Sequence, residues 1–177
     1  MRDAQAASGR STAGHGIRLA DFQPQDLPAI HAFAADPVVC QYSTWGPNQL
    51  ADTREFLADA LLEQPHRVLQ AVMLGDVLIG SASVWVTDRK AKAGEIGYTL
   101  NREYWGNGYA AETAGLLLRR GFEDLGLERI SATCDARNAA SIRVLEKTGF
   151  KLEGRRVEDP DSDAARAETL IFNIGRT

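Results

Sequence analysis

A glycine-rich junction in the second half of the chain carries residues suited to binding a phosphate group. The segment 104–111, YWGNGYAA, places two glycines and two alanines at the start of an apolar, helix-like stretch. Small side chains let backbone N–H groups crowd toward one point, and the first amides of a helix lack intrahelical partners and lie at the positive end of its dipole. Such a junction suits a pyrophosphate, although a plain strand-to-helix turn has the same composition.

A dinucleotide-binding fingerprint also matches this junction. Gly106, Gly108 and Ala111 fit G-x-G-x-x-G/A, and Glu128 lies at the spacing of a ribose contact. That fingerprint normally follows the first strand of a parallel βαβ unit, whereas the segments before this junction predict an antiparallel meander. The chain also contains no G-x-x-x-x-G-K-[ST] motif. We therefore expect neither a bound dinucleotide nor P-loop nucleotide hydrolysis.

The elements that must position the junction alternate in type along the chain. A strand–helix–strand order after the meander implies a parallel crossover within a mixed sheet. The predicted fold class is therefore α+β, with a single mixed, mostly antiparallel, twisted sheet flanked by helices. The predicted strands are 17–19, 67–74, 77–87, 94–100, 129–134, 150–157 and 168–174, and the predicted helices are 21–35, 50–64, 108–125 and 138–147.

Composition is that of an ordinary single-domain protein. The 177 residues are 44% hydrophobic and 25% charged, which suffices for a core without a metal or disulfide staple. With 20 Lys and Arg against 24 Asp and Glu, the net charge of −4 argues against nucleic-acid binding by phosphate neutralisation. Cys40 and Cys134 lie far apart without zinc-ligand spacing, so we expect no metal site and a reduced, cytoplasmic protein.

The apolar runs of the chain and the composition of its first residues indicate where the predicted domain begins. No apolar run approaches the roughly 18 residues of a membrane-spanning helix, so no membrane association is expected. Residues 1–16 are rich in Ala, Ser, Gly and Thr and lack the apolar core of a signal peptide. We interpret 1–16 as a mobile N-terminal tail and 17–177 as one domain.

Three blocks of sequence are typical of one enzyme family. The blocks are 94–100 (GEIGYTL), 105–112 (WGNGYAAE) and 138–150 (NAASIRVLEKTGF). In this order and at these separations they resemble the GNAT superfamily of acetyl-CoA-dependent N-acetyltransferases. Within it, the chain is similar to the ribosomal-protein N-terminal acetyltransferases, the RimJ/RimL-like branch. The resemblance covers 17–174 and implies the GNAT fold, acetyl-CoA as co-substrate and a primary amine as acceptor, and it allows a homodimer, since dimers occur in such families.

The resemblance assigns the junction and two neighbouring segments to acetyl-CoA. Backbone amides of 106–110 would line the pyrophosphate, while Trp105 stands where many members have Arg or Gln. The backbone of 96–100 would pair with the pantetheine amides, as a peptide adds to a sheet edge. Tyr98 either contacts the ligand or packs, and Asn138 either bonds the pantetheine or caps its helix. The assigned cofactor-binding residues are Ile96, Tyr98, Leu100, Trp105, Gly106, Asn107, Gly108, Tyr109, Ala110, Asn138 and Ser141.

Amide formation from a thioester needs a neutral amine, a polarised carbonyl and a protonated leaving thiol. A lysine amine costs roughly 4 to 5 kcal/mol to deprotonate at pH 7, whereas an α-amine costs only about 1. Glu95, at the start of the strand expected to carry the thioester, is the predicted general base, directly or through water; a solvent-facing or ion-paired glutamate is the alternative.

Many relatives protonate the thiolate with a tyrosine where this chain has Leu145. Ser141 or a water is the expected replacement, unless Ser141 only bonds the pantetheine.

The acceptor amine is left open by the sequence. The branch resemblance favours a protein or peptide α-amine, and a small amine such as a polyamine, an amino-sugar antibiotic or an amino acid is the second hypothesis. A non-catalytic acyl-CoA-binding module is the third, favoured if Glu95 points away from the cofactor. Tyr42 and Trp45, in the loop 39–48, are the predicted acceptor-binding residues unless they belong to the core. Because no G-x-S-x-G motif is present, we expect direct transfer in a ternary complex.

Overall fold

Seven strands form a single sheet in the computed structural model, which describes residues 16–157 and 168–176. The strands are β1 (Ile17–Ala20), β2 (Arg67–Leu74), β3 (Val77–Asp88), β4 (Ala93–Leu100), β5 (Arg129–Asp135), β6 (Lys151–Val157) and β7 (Glu168–Gly175). Their order is β1-β2-β3-β4-β5-β7-β6, and neighbours are antiparallel except for the parallel pair β4 and β5. The predicted α+β class, with one mixed, mostly antiparallel sheet, is confirmed.

Five α-helices are found in the described residues, and four of them cover the two faces of the sheet. The helices are α1 (Leu27–Ala34), α2 (Pro37–Cys40), α3 (Leu50–Ala60), α4 (Tyr109–Arg119) and α5 (Ala139–Lys147). Successive strand residues point to opposite faces, so Ala71 packs with α1 and α3 while Val72 packs with α4 and α5. The first cluster contains Phe22, Ile30, Phe33 and Leu57, and the second contains Val84, Ile96, Leu117 and Leu145.

Two N-terminal helices are shorter than predicted. The predicted helix 21–35 begins only at Leu27, after a 3-10 turn over Pro24–Asp26, with a proline in its first turn, where a missing N–H costs no hydrogen bond. The predicted helix 50–64 ends at Ala60, and Gln64, the residue before a proline, forms an isolated β-bridge with Arg67. Both differences lie outside the elements that carry the glycine-rich junction.

A π-helical turn over Arg120–Asp124 follows α4, so the predicted helix 108–125 is α4 plus this turn. A Cβ placed on Gly121 would lie 2.5 Å from Ile130 Cδ1 and 3.2 Å from Val84 Cγ2. Only a residue without a side chain allows the chain to pass this close to the sheet. The turn therefore packs the end of α4 directly against the hydrophobic cluster that contains Val84 and Ile130.

The parallel pairing of β4 with β5 is short and leaves a wedge. In the described residues it joins only Ala93–Glu95 to Arg129–Ser131. Beyond these pairs, β4 stays paired with β3 as far as Leu100, and β5 stays paired with β7 as far as Asp135. Each strand consequently has one backbone edge without a strand partner at its carboxyl end, and the two edges face one another across the wedge.

The ends of the chain are only partly within the described residues. The predicted tail, 1–16, lies outside them apart from Gly16, and 158–167 lies outside them as well. Among the helices of the described ranges, none combines the length and apolar character needed to cross a membrane.

Gly80→Ala is expected to destabilise the sheet, because a side chain at this position of β3 would clash with β4. A Cβ on Gly80 would lie 2.2 Å from the Thr99 carbonyl oxygen and 2.6 Å from Leu100 Cδ2. The carbonyl belongs to the strand backbone, so relief requires the sheet itself to shift. We expect the free energy of unfolding, measured with urea, to fall by roughly 1–3 kcal/mol.

Gly97→Ala is the matched control for this substitution in the neighbouring strand. A Cβ on Gly97 would lie 3.6 Å from Trp85 Cζ3, which is an ordinary van der Waals contact. A loss of stability in Gly97→Ala as large as that in Gly80→Ala would contradict the steric explanation.

Candidate active site

Two cavities meet where β4 and β5 separate. One, of about 730 Å³, opens on the sheet face covered by α1 and α3 and is called here the α1–α3 cavity. The other, of about 700 Å³, opens on the opposite face and is called the α4–α5 cavity. Residues from three separate segments line both cavities and form their junction: Gln41, Tyr42, Ser43, Tyr98, Thr99, Arg137, Asn138 and Ser141.

The glycine-rich junction lines the α4–α5 cavity. Gly106 and Gly108 have φ angles of +78° and +84°, and Gly108 is the N-cap residue of α4. A Cβ on either glycine would meet nothing within 4 Å, so the space in front of the loop is free of protein atoms. Arg143 and Lys147 of α5 line the same cavity. Open space, the N-terminal end of the α4 dipole and two cations together suit an anionic ligand.

Side chains on either side of Gly106 brace the loop itself. The Trp105 indole N–H donates to the Leu100 carbonyl oxygen at 2.8 Å, while the ring lines the α4–α5 cavity. The Asn107 side-chain amide donates to the carbonyl oxygens of Tyr104 and Trp105 at 3.2 and 3.0 Å. Asn107 is not among the described residues that line either cavity, so the hydrogen bonds within the loop are its observed contacts.

The predicted cofactor residues of β4 divide between core and cavity. Ile96 is buried in the core with α4 and lines neither cavity, whereas Leu100 lines the α4–α5 cavity and Tyr98 lines both. Burial raises the pKa of the Tyr98 phenol, and the nearby Cys134 thiol raises it further, while a hydrogen bond with Ser141 acts in the opposite direction. The phenol is therefore protonated throughout the neutral pH range.

Asn138 caps α5, and it also lies at the junction of the two cavities. Its side-chain oxygen accepts the Ser141 N–H at 3.1 Å, which makes it the N-cap of α5. It also lines both cavities, together with Ser141. The cap consequently fixes the position of Ser141 at the junction.

A single hydrogen bond connects Glu95 to a residue that lines the α1–α3 cavity. Its Oε1 accepts the Thr133 hydroxyl at 3.0 Å, and Thr133 lines that cavity. Glu95 itself is half-buried and is not among the described lining residues. The Glu95 carboxylate therefore does not contact the α1–α3 cavity directly. It can exchange a proton with the cavity through the Thr133 hydroxyl or a water.

Aromatic side chains surround the α1–α3 cavity. Tyr42 and Trp45, which are 36% and 40% exposed, lie at the surface and not in the core. The loop that carries them is fixed by the Ala34 carbonyl oxygen, which accepts the Asn48 N–H at 2.9 Å and the Cys40 thiol at 3.3 Å. The other aromatic lining residues are Phe33, Phe56, Trp85 and Tyr98.

Comparison with known protein families identifies the family to which this chain belongs. A family model described as an acetyltransferase (GNAT) domain matches residues 17–151. The chain belongs to the GNAT acetyltransferase family. It is accordingly an acetyl-CoA-dependent acetyltransferase, and the predicted GNAT fold is confirmed.

Two GNAT proteins from Bacillus species resemble the chain over most of its length. The chain is 32% identical over 143 residues to an uncharacterised N-acetyltransferase, p20, of Bacillus licheniformis. That alignment covers 78% of this chain and 80% of p20. A crystal structure of a GNAT-family acetyltransferase from Bacillus anthracis aligns with a TM-score of 0.81 at 28% identity, over 90% of this chain and 95% of that one.

Two GNAT structures of lower identity share the fold but differ in acceptor. Spermidine N-acetyltransferase from Vibrio cholerae, in complex with CoA and spermine, aligns with a TM-score of 0.78 at 21% identity, over 90% of this chain and 95% of that one. RimL, a ribosomal L7/L12 α-N-protein acetyltransferase in complex with CoA, aligns with a TM-score of 0.79 at 18% identity, over 90% and 94%. RimL is one structural neighbour among many, so the RimJ/RimL-like branch stays a prediction.

The position where many GNAT enzymes carry their catalytic tyrosine is part of the core here. Leu145 is 1% exposed and belongs to the cluster under α4 and α5. It has neither a proton to give nor access to the cavities. Ser141 or a water at the junction therefore stays the predicted proton donor for the departing thiolate.

Several residues that line the GNAT site are absent from the sequence prediction. Trp85 shares a face of β3 with Ser81 and Ser83, and strand alternation together with the hairpin register indicates this face. Phe33, Phe56 and Arg137 reach the cavity only through the packing of α1, α3 and the β5–α5 turn on the sheet. No local pattern signals that arrangement.

Proposed function

We propose that this enzyme holds acetyl-CoA in the α4–α5 cavity and acetylates a primary amine that enters through the α1–α3 cavity. The observation that carries the proposal is the junction of the two cavities at the β4–β5 wedge, because transfer requires donor and acceptor to meet at one point. Each substrate then has its own entrance on its own face of the sheet.

The residues of the α4–α5 cavity suit acetyl-CoA along its length. Gly106, Gly108 and the first amides of α4 receive the pyrophosphate, and Arg143 and Lys147 add positive charge beside it. The edge of β4 beyond Glu95, where pairing with β5 stops, receives the pantetheine amides in the manner of an added strand. The thioester then lies at the junction, beside Tyr98 and Ser141.

Residues around the junction divide the proton transfers between them. Glu95, through Thr133 or a water, accepts the proton that the amine loses as its nitrogen attacks the carbonyl carbon. Ser141 passes a proton to the sulfur as the carbon–sulfur bond breaks and regains one from water in the same step, and the Asn138 cap holds Ser141 in place. Tyr98, which stays protonated and hydrogen-bonded to Ser141, supports that hydroxyl.

The acceptor we propose is the α-amine of a protein or peptide. A base that reaches the cavity through an intermediary suits an amine that costs only about 1 kcal/mol to deprotonate at neutral pH. A small amine is the second candidate, favoured by the structural likeness to a spermidine acetyltransferase. A non-catalytic module is set aside, because the curated relatives are N-acetyltransferases.

Acetyl-CoA is expected to stabilise the folded chain. At a concentration 100 times its dissociation constant, a ligand that binds only the folded state adds about 2.7 kcal/mol, which a thermal shift assay detects readily. NAD, tested in the same way, is expected to give no shift. Absence of a shift with acetyl-CoA, or an equal shift with NAD, would contradict the proposed donor site.

Thiol release across a panel of acceptors tests the proposed amine. Peptides with a free α-amine and matched peptides with a blocked N-terminus and a lysine form one pair, and spermidine and free amino acids form the second group. We expect faster release with the free α-amine. Faster turnover of spermidine or of the lysine peptide would overturn the peptide proposal and favour another amine.

A further inference from the structure

Arg137 makes a bidentate ion pair with Asp135 at the start of the β5–α5 turn. Its Nε and Nη2 donate to the two carboxylate oxygens of Asp135 at 2.9 and 2.6 Å, and its backbone N–H donates to Oδ1 at 2.8 Å. The Asp135 side chain is only 10% exposed, and the Arg137 hydrogen bonds lower the pKa of its carboxyl group. The guanidinium is therefore held in one orientation at neutral pH.

Tyr42 meets this guanidinium from the other side of the cavity junction. The Arg137 Cζ lies 5.8 Å from the centroid of the Tyr42 ring, within the range of a cation–π contact. Tyr42 belongs to the loop after α2, and Arg137 to the turn before α5, so the contact joins two elements that are far apart in the sequence. Both residues line both cavities.

The loop that carries Tyr42 is also anchored on the side of the glycine-rich junction. Asp36, the N-cap of α2, accepts the Val38 N–H at 2.9 Å and the Arg102 Nε at 2.9 Å, and Arg102 begins the turn that leads to Trp105. The segment from α2 to Tyr42 is thus attached at one end near the α4–α5 cavity and at the other to Arg137.

We propose that Arg137 and Tyr42 form a bridge across the junction that shields the thioester from water and thereby sets the ratio of acetyl transfer to hydrolysis. This inference rests on the proposed location of the thioester. Hydrolysis is the competing reaction, in which a water oxygen attacks the carbonyl carbon, the carbon–sulfur bond breaks, and acetate and free CoA result. Exclusion of water from a closed site suppresses reactions of this kind. Arg137 acts as a positioning residue, because it orients Tyr42 and does not itself take part in the bond exchange.

Tyr42→Leu and Arg137→Gln test the bridge. Leucine removes the ring at an exposed position, and glutamine removes the guanidinium. We measure thiol release from saturating acetyl-CoA without acceptor and acetyl transfer at saturating acceptor, and we express them as a ratio, so that a weaker affinity for the acceptor does not change it. Loss of one cation–π contact is expected to raise the ratio of hydrolysis to transfer roughly three- to tenfold.

Two control variants separate the bridge from a general loss of order. Tyr42→Phe keeps the ring and should keep the ratio of the parent protein. Arg120→Gln removes an arginine that pairs with Asp124 at 2.5 Å and lines neither cavity, so its ratio should also be unchanged. Arg137→Gln leaves the Asp135 carboxylate unpaired and affects folding more than Tyr42→Leu, which makes Tyr42→Leu the decisive variant.

The outcomes distinguish this inference from the function on which it rests. If the parent protein is not stabilised by acetyl-CoA and releases no thiol, the proposed function fails. If the parent protein transfers acetyl groups and folded Tyr42→Leu keeps the parental ratio, the bridge fails alone. A ratio that rises equally in Arg120→Gln or in Tyr42→Phe would also overturn the bridge.

Discussion

Glu95→Gln is expected to lower the rate of acetyl transfer about 100-fold at neutral pH, the lower end of what general-base assistance provides. The amide has the size of the carboxylate and can still accept the Thr133 hydroxyl, which Glu95 Oε1 accepts at 3.0 Å. It cannot take a proton from the amine. Steady-state thiol release with a good acceptor measures the effect, and the affinity for acetyl-CoA should stay unchanged in calorimetry because Glu95 lies on the opposite face from the α4–α5 cavity.

Glu128→Gln is the matched control for the loss of a carboxylate. Glu128 is exposed, pairs with Lys92 at 2.5 Å and lines neither cavity. We expect its turnover to equal that of the parent protein. Unchanged turnover in Glu95→Gln would remove Glu95 from the mechanism, and an equal loss in Glu128→Gln would show that net charge, rather than a base, is responsible.

A second large effect is expected from Gly108→Val, which should weaken acetyl-CoA binding by roughly 10- to 150-fold. Gly108 lines the α4–α5 cavity and a Cβ there meets no protein atom within 4 Å, so we expect a side chain to take up space that the pyrophosphate is proposed to fill. Each backbone hydrogen bond to a charged group that the added side chain prevents is worth about 1.5–3 kcal/mol, which corresponds to this loss in affinity. Isothermal calorimetry with acetyl-CoA measures the change.

Gly126→Val separates the ligand effect from backbone strain. Gly126 has a φ angle of +64°, comparable with the +84° of Gly108, and a Cβ there also meets nothing within 4 Å. Both variants force a valine into the left-handed region, at a cost of about 1–3 kcal/mol in the free energy of unfolding. Affinity should fall only in Gly108→Val. Equal affinities in the two variants would contradict the pyrophosphate assignment.

Strand patterns and turn residues of this chain were sufficient to predict most of the sheet. The hairpin across Gly75-Asp76 and the strand that ends at Leu100 have the predicted boundaries within one residue. These features depend on alternation of side chains over a few residues and on glycines that allow tight turns, which are local properties. The parallel crossover was predicted from element order, since a helix between two strands gives the chain the length it needs to return for parallel pairing.

Residues of the candidate site could be predicted from the sequence only where they belong to one continuous segment. The glycines before α4 lie together because they are neighbours in the chain, and the Asn138 cap on Ser141 spans a single helical turn. By contrast, the sequence could not place Ile96 in the core or Trp85 in the cavity wall. Those positions depend on which face each strand turns toward which helix pair.

The sequence by itself determined the family, the order of the elements and the glycine loop, because each depends on short-range patterns. Only the tertiary structure decided how the site is assembled. Glu95 meets Thr133 across 38 residues of chain, and Tyr42 meets Arg137 across the cavity junction. Such contacts exist because β4 and β5 pair for three residues and then separate. That geometry arises from the packing of helices on both faces of the sheet, which no local pattern encodes.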